Sequence, residues 1–115
     1  MFDFEKLDVY QKAKLFNSVV YNHIQTNKSI DSTTKNQLRR ASLSIMLNIA
    51  EGSSRFSKVD RRNFYVIARG SAFECVAIFD FMKDQKIISE EQQKDFYIKA
   101  EELSKMIFAM IKNLS

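Results

Sequence analysis

The chain has 115 residues, a formal net charge of +4, no proline, one cysteine and glycine only at Gly52 and Gly70. That length supports one hydrophobic core and leaves no material for a second folded unit. With no proline, few glycines and abundant Lys, Glu, Gln, Leu, Ala and Met, nothing punctuates a series of short strands, and the composition favours long helices. Cys75 alone excludes an internal disulfide; among apolar neighbours a reduced thiol acts as a small hydrophobe.

Taken in chain order, Leu7, Tyr10, Ala13, Phe16 or Asn17, Val20 and Ile24 recur every three to four residues and predict a first helix from about Phe4 to Thr26. Asn27 to Ile30 reads as a polar joint. Asp31 or Ser32 then caps a second helix, which carries Leu38, Ala41, Ile45 and Ile49 on one stripe and ends near Gly52, Ser53 and Ser54. A third helix starts around Ser57, with Asp60 in the capping-box position, and runs through Phe64, Ala68, Ser71, Cys75, Phe79 and Met82. Ser89 and Gln92 form a second capping box ahead of a last helix whose apolar positions are Phe96, Ala100, Leu103, Ile107, Met110 and Leu114. The expected architecture is all-α: residues 1–115 as a single antiparallel, up-down-up-down four-helix bundle roughly 35 Å long.

Two segments are too apolar for one stripe. Ile45, Met46, Leu47 and Ile49, and likewise Val76, Ala77, Ile78, Phe79, Phe81 and Met82, point in several directions because successive helical residues lie about 100° apart. A homo-oligomer is the expected way to cover them. The opening MFDFEK has neither the basic region nor the apolar run of a signal peptide, and no stretch reaches the roughly 20 apolar residues that cross a bilayer, so a cytoplasmic protein without membrane association is expected.

Charge is concentrated. Between Lys35 and Arg69 eight basic residues face only Glu51 and Asp60, a net of +6, and all six arginines lie in this window. Lys35 and Arg39 sit early on the second helix, and Arg55, Lys58, Arg61 and Arg62 surround the turn after it. These six are the candidate nucleic-acid-binding residues, because Arg and Lys at close spacing meet phosphates, and contacts of that kind give affinity without reading sequence. The two groups stand some 25–30 Å apart along the helix and form separate patches.

Arg40, Ser44 and Asn48 follow one another at four-residue spacing, with Glu51 a turn further on, and Ser71 and Glu74 mark the facing edge of the third helix. The expected role is a structural polar network, with Arg40 neutralising Glu74 or Glu51 and Gly70 allowing the helices to approach closely. No catalytic residue is expected. The single histidine, His23, reads as a solvent-facing residue near the end of the first helix with no partner serine or cysteine in a strained turn, and the two Glu-x-x-His motifs of a di-iron bundle are missing. Neither metal-ligand spacing nor a glycine-rich phosphate loop occurs, so no metal and no cofactor are expected.

The stretch QLRRASLSIMLNIAEGSSRFSKVDRRNFYVIARGSAFEC carries a further signal. Arg39, Arg40, Ala41, Ser44, Ile45, Asn48, Ile49, Ala50, Glu51, Gly52 and Arg55, followed by Phe64, Ala68, Gly70, Ser71 and Glu74, match the pattern R-R-A-x-x-S-I-x-x-N-I-A-E-G-x-x-R and F-x-x-x-A-x-G-S-x-x-E. In this the chain resembles the four-helix-bundle family of proteins encoded in intervening sequences of bacterial 23S ribosomal RNA genes, and FEKLDVYQKAKLF resembles that family's first helix. The resemblance implies a bacterial protein in a homopentameric barrel of bundles, similar to the accessory proteins of diversity-generating retroelements. Together these observations lead to two expectations. One is a non-enzymatic oligomer that binds nucleic acid, structured RNA above all, through basic surfaces; the other is an interaction scaffold or accessory subunit, for example of a reverse transcriptase, with a protein partner and no nucleic-acid role.

Overall fold

The computed structural model describes residues 1–114. Phe2 to Leu7 do not belong to the first long helix. Asp3–Lys6 form a separate 3-10 turn, Leu7 is extended, and helix α1 spans Asp8–Thr26. The break has a local cause. The Glu5 carboxylate accepts from the Phe2 amide (3.0 Å), the Gln11 side chain donates back to the Glu5 carbonyl (3.0 Å), and Phe4 packs edge-on against Tyr10 at 4.7 Å. These contacts fold the leading residues against the helix start instead of extending it.

Helix α2 spans Ser32–Ser53, α3 Lys58–Asp84 and α4 Glu90–Asn113. Side chains define each start. Asp31, not Ser32, caps α2 through Thr34 N (3.1 Å), and Ser57 caps α3 through Asp60 N (3.1 Å). Ser89 and Gln92 complete the reciprocal box at α4, with bonds of 3.1 and 2.9 Å. The joints, 27–31, 54–57 and 85–89, are too short to carry the chain back along a helix of more than 20 residues, so consecutive helices run antiparallel. Each helix packs on its sequence neighbours and α1 closes the ring against α4; α2 with α3 is the tightest seam and α1 with α4 the loosest. The molecule measures 44 × 26 × 21 Å.

One continuous cluster of buried residues fills the bundle. The stripe expected on α2 is buried in full, as are Ala13, Phe16, Val20 and Ile24 on α1. On α4 the seam runs Phe96, Ala100, Leu103, Ile107 and then Ile111, while Met110 is half-buried, because a straight helix of 3.6 residues per turn drifts off a strict seven-residue repeat. On α3 it is Tyr65, not Phe64, that enters the core. Ile30, within the first joint, is buried too.

The close approach expected of Gly70 falls instead to Gly52, which also stands at the end of α2 as expected. Gly70 is exposed, and a Cβ there would meet nothing within 4 Å, so it does not mediate close approach. Gly52 does. A Cβ at this position would come to 2.7 Å from Cε1 of Tyr65 and 3.0 Å from Cβ of Phe64, so the absence of a side chain is what lets the end of α2 meet the start of α3.

Candidate nucleic-acid interface

The α2–α3 turn occupies one end of the bundle, and its arginines do not behave alike. Arg55 folds back along the turn: Nη2 pairs with Glu51 Oε1 at 2.9 Å, and the guanidinium lies 4.6 Å from the centre of the Phe64 ring. Arg61 Nε donates to the Arg55 carbonyl at 2.7 Å, bracing the turn from behind. Both side chains thus spend part of their hydrogen-bonding capacity within the chain. Lys58 and Arg62, one helical turn apart at the start of α3, are exposed and meet no described partner. They carry the free charge of this end, where the positive pole of the α3 dipole adds to them.

Lys35 and Arg39 lie toward the other end of α2. Arg39 stacks over Tyr21 of α1, 4.5 Å from its centre, beside a groove of about 370 Å³ that also takes in Lys14, Asn17 and Asn22. Lys14 and Tyr21 escape a reading of the sequence because they lie on a different helix from Arg39; the only signal of their joining it would be the antiparallel pairing of α1 and α2. Arg69, on α3, lies between Phe73 and Phe108 at 4.8 and 5.2 Å, away from both basic patches.

The polar network is smaller than the sequence predicts. Ser71 Oγ donates to Ser44 Oγ at 2.8 Å and joins α3 to α2, while Asn48 Nδ2 donates to Ser44 O at 2.8 Å and Ser44 Oγ at 3.0 Å. Asn48 therefore supports the link without itself crossing. Arg40 and Glu74 stay outside it: both are exposed, and among the described residues neither forms an ion pair. Glu51 is taken by Arg55, four residues further along the chain, a spacing that brings the two together more readily than the roughly three helical turns from Arg40 to Glu51.

The remaining titratable groups of interest are structural. Burial pushes the Cys75 thiol up to about 12, with the Glu74 carboxylate adding to the effect, so it carries no thiolate character at neutral pH. Burial also lowers the pKa of His23, whose Nε2 meets Asn27 Nδ2 at 3.2 Å and whose ring stands edge-on to Phe96. Asn27 in turn donates to the Ile87 carbonyl at 3.0 Å, tying the two joints at that end together. Among the described residues no three His, Cys, Asp or Glu side chains gather closely enough to hold a metal ion, and no helix is long and apolar enough to cross a membrane.

The architecture is that of an all-helical four-helix bundle with a basic turn at one end. Its sequence matches the family model of the 23S rRNA-intervening sequence protein over residues 5–109, and the chain belongs to that family. A similar fold is found in the crystal structure of a protein of unknown function from the S23 ribosomal protein family of Bacteroides thetaiotaomicron VPI-5482. The TM-score is 0.86 at 24% identity, over 90% of this chain and 98% of that one. No curated protein matches the chain.

Proposed function

We propose that this protein is a non-enzymatic, cytoplasmic homo-oligomer that binds structured RNA through its basic surfaces with little sequence preference. The observation that carries this reading is the pair Lys58 and Arg62, exposed and unpartnered beside an arginine-braced turn. Unneutralised cations on a rigid end of the molecule attract a phosphate backbone, and assembly multiplies the attraction by repeating the patch. Assembly is supported by the apolar side chains left uncovered on the bundle, among them Leu47, Val66, Ile67, Phe73, Phe81 and Phe108. The resemblance carries the expectation of five copies.

The test joins mass and affinity. Light scattering should give several times the 13.5 kDa of one chain. RNA affinity should fall steeply with salt, and replacing Lys58 and Arg62 with glutamine should flatten the log–log slope by about 0.7–0.9 for each phosphate contact removed, leaving helicity and mass unchanged. A monomer at micromolar concentration would refute the assembly. Affinity indifferent to salt would refute the RNA interface and favour the reading in which the uncovered apolar surface serves a protein partner.

A further inference from the structure

Phe56, at the tip of the α2–α3 turn, is wholly exposed, at 102% of its reference area. Its neighbours explain why it stays there. Arg55 is held by Glu51, by the Phe64 ring and by Arg61 at its carbonyl; Ser57 is committed to capping α3 through Asp60 N. With the residues on both sides engaged within the chain, the Phe56 ring stands outward, clear of the bundle. On the first two turns of α3, just after it in the chain, stand the exposed cations Lys58 and Arg62.

We infer that Phe56 is a stacking platform for an unpaired nucleotide, so that this end of the protein takes single-stranded or looped RNA in preference to duplex. The inference rests on the RNA-binding reading above and narrows it. A base stacks on an aromatic ring only if its face is free, and in a duplex those faces are occupied by neighbouring base pairs; loops, bulges and ends offer them. An aromatic ring beside cations that track the adjoining phosphates is the usual pairing for single strands.

The experiment compares a short unstructured RNA with a blunt RNA duplex of equal length at fixed low salt, using wild type, Phe56→Ala, Phe56→Leu and Phe56→Tyr, with thermal melts to confirm folding. Wild type should prefer the single strand. Phe56→Ala and Phe56→Leu should weaken single-strand binding by about 5- to 150-fold, the range measured for loss of one base–aromatic stack, without altering duplex affinity or salt slope. Phe56→Tyr, which keeps the ring, should bind like wild type. If wild type binds both probes in a salt-sensitive way and Phe56→Leu matches it on each, stacking is refuted while the electrostatic interface stands. If wild type binds neither probe, the RNA-binding reading falls and the platform with it. Loss of binding to phosphatidylserine vesicles in Phe56→Ala, with RNA affinity intact, would make the ring a membrane wedge and overturn the inference.

Discussion

Phe79→Ala is expected to cost the fold about 3–5 kcal/mol, the range for emptying a buried aromatic site. Phe79, on α3, is completely buried. Its ring stacks on Phe96 of α4, with centres 4.4 Å apart and planes 9° from parallel, and meets Phe16 of α1 edge-on at 6.4 Å. One side chain therefore joins three helices across the bundle. Against a total stability of about 5–15 kcal/mol for a domain of this size, the loss would remove about a fifth at least and lower the thermal midpoint by at least about 10 °C. Val59→Ala, on the first turn of the same helix and largely exposed, should cost less than about 1 kcal/mol. Chemical denaturation of the two variants decides the matter: equal losses would mean that the aromatic diagonal is not the centre of the core.

The glycines should respond with opposite signs. At Gly52 the added methyl meets the buried Tyr65 ring and the Cβ of Phe64, neither of which is the free end of a flexible chain, so the α2–α3 seam must open. Gly52→Ala is expected to destabilise by about 1–3 kcal/mol, the cost of overpacking a close contact. Gly70→Ala meets open space in mid-helix and should stabilise by about 0.5–1 kcal/mol through lower unfolded-state entropy and better helix propensity. Melting curves that rank the two variants the other way would show that the seam closes elsewhere.

The helices, most of their buried stripes and the caps were legible in the sequence, because periodicity and capping act over a few residues. Leu38, Ala41, Ile45 and Ile49 needed nothing more than a 3.6-residue period, and Ser89 with Gln92 nothing more than three-residue spacing. What the sequence concealed depends on which side chain faces which across a seam. Periodicity does not distinguish a glycine against a neighbouring ring from one facing water, and so the close approach is expected at Gly70 and found at Gly52. The Arg55 pair with Glu51 could have been read from its four-residue spacing, and reading it would have left Lys58 and Arg62 as the free cations. The contact of Arg39 with Tyr21 spans two helices and carries no local signature.

The uneven closure of the helix ring bears on how the chain assembles. Three seams join helices that follow one another and need only short loops to form, whereas the seam between α1 and α4, marked by the Lys12 and Glu102 ion pair, brings together residues 90 apart. Closing so long a loop costs the most chain entropy, and here the return is the loosest packing in the bundle. Folding should therefore complete α2, α3 and α4 before α1 docks, and native-state amide exchange should show α1 opening at lower free energy than the α2–α3 hairpin.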